Sequence, residues 1–120
     1  MLQVLVVDRS RAIVASLGSW LGRTGFVSGL KTATTATAAM RALASFSPEV
    51  VLLDATIEPG GWQPLAQRIR ERLPTVHLVL MSAAAPGDLR HLRREGLIDD
   101  FVSKTDLARQ LRWKLRKLAL

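Results

Sequence analysis

The stretch Val50-Val51-Leu52-Leu53-Asp54 places four branched apolar residues directly before one carboxylate. A short, unbroken apolar run that follows Pro48 predicts a strand buried on both faces of a parallel sheet. Open α/β sheets bind their ligands beyond the carboxyl ends of their strands. We therefore expect Asp54 to lie at the centre of the functional site.

Segments typical of strands and of helices alternate along the chain on both sides of this stretch. Further strands are predicted at 3–7, 26–32, 76–81 and 100–103, and a helical segment follows each strand. The run at 26–32 is the most polar of them, so we place it at an edge of the sheet. Strict alternation implies parallel strands with helices on both faces. The prediction is an α/β, doubly wound, flavodoxin-like sheet of five parallel strands in the order 2-1-3-4-5.

The composition narrows the class of protein. The length of 120 residues is typical of one domain, so we expect a single domain over 1–120. The absence of cysteine excludes disulfides and thiolate metal sites, which favours a reducing compartment. No apolar run approaches the ~20 residues that cross a bilayer, and the N-terminus does not resemble a signal peptide. We expect a cytoplasmic protein without a membrane partner.

The formal charge of +7 comes from 17 Lys and Arg against ten Asp and Glu, and the excess lies late in the chain. The basic residues form either solvated helix faces or a functional surface for an anionic partner. Trp113 lies off the leucine stripe of the last helix, beside Arg109, which is typical of an interface anchor. No recognition-helix module is visible, so direct binding of nucleic acid is not expected.

Polar residues end the central strands. Asp8 follows the first strand, Asp54 ends the third, Ser82 follows the fourth and Lys104 follows the fifth. The carboxyl ends of parallel strands meet at one edge of the sheet. The predicted strand order therefore brings carboxylates, a hydroxyl and an ammonium group into one crevice.

These segments resemble the receiver domain of two-component response regulators, the CheY-like family. The resemblance covers nearly the whole chain and rests on the set of segments Val4–Asp8, Pro48–Asp54, Ile69-Arg70, Leu80–Ala83 and Gly96 with Asp99–Lys104. It implies that Asp54 is the phosphoacceptor and that Lys104 is the cationic partner of the phosphoryl group. It also implies that Ser82 is the hydroxyl that moves to bind that group, and that Phe101 is the aromatic switch residue.

The resemblance further implies a magnesium ion held by Asp8, Asp54 and the backbone carbonyl of Thr56, since Mg²⁺ prefers oxygen ligands and keeps several waters. This sequence departs from the family at Arg9, where a second acidic ligand normally stands. Arg9 either pairs with Asp54 and blocks the metal position with its guanidinium, or turns to solvent and leaves a weakened site. We favour the pairing, and expect Mg²⁺ dependence to be impaired or altered.

The expected function is a signalling module rather than an enzyme, with at most phosphotransfer to Asp54 and autodephosphorylation. The resemblance implies a histidine kinase or phosphotransfer protein upstream, and a downstream protein or effector domain. The output contact is expected on the fourth helix, fifth strand and last helix, a face that is also a candidate for homodimer contact. Its expected interface residues are Arg90, Arg94, Arg109 and Trp113. The alternative is a phosphorylation-independent pseudo-receiver that acts as a protein-interaction scaffold; nucleic-acid binding through the basic C-terminal helices is less favoured.

Overall fold

The sheet forms as its apolar runs predict. The structure, a computed structural model, describes residues 1–83 and 95–120. Its strands are β1 (Leu2–Val7), β2 (Val27–Ala33), β3 (Val50–Asp54), β4 (His77–Ser82) and β5 (Asp100–Ser103). They lie in the order β2-β1-β3-β4-β5, and every neighbouring pair is parallel. The predicted α/β class, the strand order and the edge position of the second strand are confirmed.

Helices follow the strands within the described residues. They are α1 (Arg11–Gly22), α2 (Ala36–Ala42), α3 (Gln63–Arg72) and α4 (Leu107–Ala119), and a single 3₁₀ turn, Lys104–Asp106, leads into α4. The predicted basic helix between the fourth and fifth strands, with Arg90 and Arg94, lies outside the described residues. No helix in the described part of the chain is long and apolar enough to span a membrane.

Local sequence signals account for two of the helix starts. The Ser10 hydroxyl accepts a hydrogen bond from the Ile13 N–H at 3.3 Å, and the Thr35 hydroxyl accepts one from the Ala38 N–H at 3.0 Å. Each cap satisfies a backbone donor that has no partner within its helix. Ser10 in particular fixes the start of α1 just after the end of β1.

Both faces of the sheet are covered by helices. Val50, Val51, Leu52, Leu53 and Asp54 are all buried, as expected for the central strand. On one face α1 and α4 contribute Leu17, Leu21, Leu111 and Leu115 to the core. On the other face α2 and α3 contribute Ala39, Leu65, Ala66 and Ile69, and Trp62 packs with them at 8% exposure. Each fully buried leucine contributes about 1.5–3 kcal/mol, so packing on this sheet holds its strand ends in place.

The strand register decides which residues meet at the carboxyl edge. Val7 lies opposite Leu53, and Asp54 lies opposite Met81. Ser82 lies opposite Ser103, so Lys104 leaves β5 just beyond the end of β4. The residues that follow β1, β3 and β5 are thereby brought to one side of the molecule.

An ion pair joins α3 to the opposite, amino edge of the sheet. Arg70 Nη2 lies 2.8 Å from Asp99 Oδ2, and Arg70 Nη1 donates to the Val76 carbonyl at 2.6 Å. The Leu78 N–H donates to the same Asp99 oxygen at 2.8 Å. Asp99 thus extends the hydrogen bonding of the sheet just before β5 begins, and Arg70 ties that bond to a helix.

Candidate functional site

Two carboxylates are buried side by side at the carboxyl edge. Asp8 follows β1, where its N–H donates to the Ala33 carbonyl at 3.0 Å and its Oδ1 accepts from the Ser10 N–H at 2.9 Å. Asp54 is the last residue of β3, and the next N–H, from Ala55, donates to the Met81 carbonyl at 2.9 Å. Both residues are 0% exposed. Backbone hydrogen bonds therefore fix the positions of two negative charges away from water.

Lys104 supplies the positive charge between them. Its Nζ lies 2.8 Å from Asp8 Oδ2 and 2.8 Å from Asp54 Oδ1, and its side chain is only 16% exposed. Within the described part of the chain, the contact with the Lys104 ammonium balances the charge on Asp8 Oδ2. Three groups predicted to share this crevice, Asp8, Asp54 and Lys104, are brought into contact.

Thr56 holds both oxygens of the Asp54 carboxylate. Its N–H donates to Oδ1 at 3.1 Å and its hydroxyl donates to Oδ2 at 2.8 Å. Sequence reasoning assigned Thr56 only its backbone carbonyl and missed both contacts. The signal was available, because an aspartate followed two residues later by a free N–H commonly closes an Asx turn.

The surroundings of Asp54 and Lys104 favour their charged forms. Burial by itself would raise the pKa of Asp54, but the Lys104 ammonium and the two Thr56 donors lower it below its ordinary value. Burial would lower the pKa of Lys104, but its contacts with Asp54 and Asp8 raise it above the ordinary value. Asp54 is therefore held as a carboxylate beside an ammonium group, which is the form that can act as a nucleophile.

The predicted pairing of Arg9 with Asp54 is wrong. Arg9 is exposed, and none of the ion pairs among residues 1–83 and 95–120 includes it. Arg9 lies in the bend between β1 and α1, with its side chain in solvent, whereas the Asp8 side chain is buried in the crevice. The cation beside Asp54 comes from β5 instead.

Lys104 also bears on whether the crevice suits a magnesium ion. The described residues contain no group of three or more His, Cys, Asp or Glu side chains that could share a metal. The two carboxylates present already share the Lys104 ammonium, and an ion 2.0–2.1 Å from the same oxygens, the usual Mg²⁺ distance, would have to displace it. These residues do not fit a magnesium ion that bridges Asp8 and Asp54 while Lys104 stays in place.

The two residues assigned to switching lie on neighbouring strands, Ser82 on β4 and Phe101 on β5. Ser82 ends β4, one residue beyond the partner of Asp54 in the sheet, and is half-buried. Phe101 is half-buried in β5 and lines a surface cavity of about 350 Å³ together with Arg109, Gln110, Trp113 and Lys114. Phe101 thus lines the surface where β5 meets α4.

The described members of the predicted interface lie together on α4. Trp113 is 61% exposed, and Lys117 Nζ lies 3.9 Å from the centre of its ring. Arg109 is exposed and forms an ion pair with Asp106 at 2.7 Å. Arg90 and Arg94, the other two predicted interface residues, lie outside the described residues.

No protein-family model and no curated protein matches the chain. Many solved structures do match it. It is similar to the signal receiver domain of an HD domain-containing protein from Pseudomonas fluorescens Pf-5, with 26% identity, 96% of this chain and 91% of that chain covered, and a TM-score of 0.79. It is similar to the receiver domain of a DNA-binding response regulator from Colwellia psychrerythraea 34H, with 18% identity, 98% of each chain covered and a TM-score of 0.84. It is also similar to the chemotaxis response regulator CheY4 of Vibrio cholerae, with 15% identity, 100% and 99% coverage and a TM-score of 0.81.

These neighbours are receiver domains of two-component systems, and they match over almost the full length of both chains. The TM-scores show that the arrangement of the sheet and the helices is shared with these neighbours. The chain has the CheY-like fold of response-regulator receiver domains.

Proposed function

We propose that this chain is a receiver-type signalling module in which Asp54 accepts a phosphoryl group from a histidine kinase or phosphotransfer protein. The observation that supports the proposal is the Lys104 ammonium, 2.8 Å from the buried carboxylates of Asp8 and Asp54. A carboxylate that attacks a phosphoryl group brings two anions together, so a fixed cation in a site with little water lowers the barrier. A histidine kinase or phosphotransfer protein as phosphodonor implies a module that acts in the cytoplasm.

The reaction transfers one group and needs no redox partner. A lone pair of an Asp54 oxygen forms a bond to the phosphorus, and the bond from phosphorus to the histidine nitrogen of the donor breaks. The electron pair of that bond remains on the imidazole nitrogen, and Asp54 becomes an acyl phosphate. The resting state is restored by hydrolysis. A water oxygen bonds to the phosphorus, the bond from phosphorus to the Asp54 oxygen breaks and leaves its electron pair on the carboxylate, and the water proton is released to the departing inorganic phosphate or to solvent.

Roles for the surrounding residues follow from their positions. Lys104 would pair with the new phosphoryl oxygens, and Ser82, at the end of the next strand, would donate its hydroxyl to them. Phe101, which separates this edge from the α4 surface, would respond to that movement. A downstream protein or effector domain would read the change on β5 and α4.

We further propose that Lys104 takes the place of a metal as the main cation at Asp54. Arg9 stands where the family has an acidic ligand, and the two remaining carboxylates share an ammonium group. Transfer to Asp54 should then depend only weakly on Mg²⁺.

Labelling with acetyl phosphate, followed by intact-protein mass spectrometry, tests both proposals. We expect one phosphoryl group on the wild type and none on Asp54→Asn. Removing Mg²⁺ with EDTA should slow wild-type labelling by less than about tenfold, or about 1.4 kcal/mol in barrier. Arg9→Asp, which restores an acidic pair, should show a larger Mg²⁺ dependence and tighter binding of beryllofluoride with Mg²⁺.

Two results would count against these assignments, and they differ. A wild type that takes no phosphoryl group from acetyl phosphate or from a phosphohistidine donor would overturn Asp54 as the acceptor. A wild type that is labelled only with Mg²⁺, to the same degree as Arg9→Asp, would leave the acceptor intact but overturn Lys104 as the substitute for the metal.

A second candidate function is a phosphorylation-independent scaffold. It is favoured by one observation: the Asp54 side chain is 1% exposed and each of its oxygens already accepts a hydrogen bond or ion pair. In that case Asp54 is a structural residue that holds β3, β5 and the loop after β3 together. Asp54→Asn would then change the free energy of unfolding but leave partner binding unaltered, whereas the leading proposal requires partner binding to change upon labelling.

A further inference from the structure

Most of the net charge of the protein lies on one helical layer. Helices α1 and α4, which pack on the same face of the sheet, contain no Asp or Glu. They hold, with the residue that caps the end of α1, seven of the 17 basic residues: Arg11, Arg23, Arg109, Arg112, Lys114, Arg116 and Lys117. Asp106, which caps the start of α4, offsets one of these charges, so the layer with its caps carries +6 of the total formal charge of +7.

An exposed aromatic side chain lies among the basic residues of α4. Trp113 is 61% exposed on α4, with a cavity on each side. The larger cavity, of about 350 Å³, is lined by Trp113 with Phe101, Arg109 and Gln110 among others. The smaller one, of about 160 Å³, lies between Trp113 and Lys117 on the side of Asp100. We call Trp113 with Arg109, Gln110, Lys114 and Lys117 the Trp113 ridge.

We propose that the Trp113 ridge binds an acidic segment of a partner protein, one that places an apolar side chain in the cavity beside Trp113. Tryptophan and arginine are the residues that most often dominate binding energy at interfaces. Side chains of Asp and Glu in the partner would meet Lys117 and Arg109, which lie on opposite sides of the ring along α4. Arg109 would share its charge between the partner and Asp106, with which it pairs at 2.7 Å. The inference deepens the partner contact of the proposed function, and it does not require that Asp54 accept a phosphoryl group.

Charge argues against a second copy of this chain as the occupant. A symmetric dimer through α4 would bring the basic residues on the exposed side of one helix close to the same residues of its partner. Asp106 at the helix start and Asp100 on β5 offset only two of the five basic residues of each helix. Like charges that face each other across an interface oppose association and select against the wrong partner. The homodimer considered for this face is therefore disfavoured relative to an acidic partner.

The shape of the ridge favours a protein segment over nucleic acid or a lipid surface. A base would stack on an open ring face, but Lys117 Nζ lies 3.9 Å over one face of Trp113. A membrane-surface helix presents a continuous apolar face, whereas the exposed large apolar residues of α4 are limited to Trp113 and Leu118 within the described helix. Cavities lined by both apolar and polar groups fit a side chain and its flanking backbone.

Binding of a synthetic peptide tests the proposal on the full, unlabelled chain. The probe is a fluorescent peptide with one phenylalanine between runs of Asp and Glu, and its controls replace the acids with Asn and Gln or the phenylalanine with Ser. We expect fluorescence anisotropy to show binding of the acidic peptide, and each control peptide to bind at least about tenfold more weakly. Trp113→Ala and Arg109→Glu should each weaken binding by about tenfold or more.

Arg68→Glu is the matched control, because Arg68 is exposed on α3 in the other layer and carries the same change in charge. It should alter affinity by less than about twofold, the size expected of a long-range charge at moderate salt. Circular dichroism confirms that each variant is folded. Equal binding by wild type and Trp113→Ala would overturn the proposal. So would tighter Trp113-dependent binding of a DNA duplex or of phosphatidylserine vesicles, or Trp113-dependent self-association in sedimentation.

The result is separable from the test of Asp54. Peptide binding is measured on the wild type and on Asp54→Asn without any phosphodonor. Loss of labelling with retained peptide binding would remove the acceptor role alone, and retained labelling without peptide binding would remove the acidic partner alone.

Discussion

The two edges of the sheet each hold a carboxylate beside a cation, but with different charge balance. At the amino edge one guanidinium, from Arg70, pairs with one carboxylate, from Asp99. At the carboxyl edge one ammonium group, from Lys104, is shared by the carboxylates of Asp8 and Asp54. The amino-edge pair is neutral, and the carboxyl-edge cluster carries one excess negative charge.

The carboxylates at the two edges also differ in burial. The side chains of Asp8 and Asp54 are 0% and 1% exposed, whereas that of Asp99 is 39% exposed. A buried charge is costly unless it is paired, so a fold that needs only stability has no reason to bury a second carboxylate against a single cation. We infer that the amino-edge pair serves structure and that the carboxyl-edge cluster is kept for chemistry.

The largest expected effect on stability comes from removing the shared cation. Lys104→Met would leave two carboxylates buried side by side, and we expect the free energy of unfolding to fall by about 3–5 kcal/mol. Lys114→Met is the matched control, because Lys114 also pairs with one carboxylate, from Asp100 at 2.7 Å, but both side chains are more than a fifth exposed. It should cost about 1 kcal/mol or less. Urea denaturation monitored by circular dichroism measures both.

Similar losses of unfolding free energy in the two lysine variants would contradict the comparison between the edges. They would show that the carboxylates of Asp8 and Asp54 do not repel each other strongly when Lys104 is removed. Recovery of stability in the double variant Lys104→Met with Asp54→Asn would sharpen it. That recovery is expected because the double change leaves one carboxylate, rather than two, in the crevice.

The next effect in size is expected at the amino edge. Arg70→Met removes hydrogen bonds to the Val76 carbonyl and to Asp99, and should lower the free energy of unfolding by about 2 kcal/mol. Acetyl phosphate labelling of Asp54 should stay within about twofold of wild type, because the change lies at the far end of the strands and affects stability alone. A large loss of labelling in a folded Arg70→Met protein would contradict the division of roles between the two edges.

Much of this arrangement follows from the sequence, for reasons that differ by residue. The apolar run ending at Asp54 predicts β3 with its observed bounds, because a strand buried on both faces has a simple signature. The strand order then brings Asp8, Asp54 and Lys104 together. What the sequence does not determine is the direction of one side chain, and for that reason the pairing assigned to Arg9 was wrong.

Local hydrogen bonding explains the remaining gap. The two Thr56 contacts with Asp54 depend on the turn that the chain makes after β3, and a residue pattern fixes such a turn less firmly than it fixes a strand. The surface of α4 is similar: the leucine spacing places Trp113 off the buried stripe, but the cavities beside it come from packing against β5.

The smallest effect, and the most direct comparison of the two carboxylates, concerns acid stability. Burial raises the pKa of Asp54 and of Asp99, but hydrogen bonds and a neighbouring cation lower each below its ordinary value. A carboxyl group whose pKa falls on folding stabilises the protein above its unfolded pKa of about 3.9, and that contribution is lost as the pH falls through the folded pKa. Both residues should therefore make the protein less stable in acid.

Water screens the carboxylates of Asp54 and Asp99 to different degrees, so their contributions to the pH dependence of the unfolding free energy should be unequal. Asp54→Asn should reduce the loss of unfolding free energy between about pH 7 and about pH 3 by on the order of 1 kcal/mol, the net value of one typical hydrogen bond. Asp99→Asn should change the same slope in the same direction but by less, because its side chain is 39% exposed and its ion pair is screened. Urea denaturation across this pH range measures both slopes. A larger change for Asp99→Asn would mean that Asp99 interacts more strongly with its surroundings than Asp54 does. The charge imbalance at the carboxyl edge would then have too small an energetic effect to identify that edge as the site of chemistry.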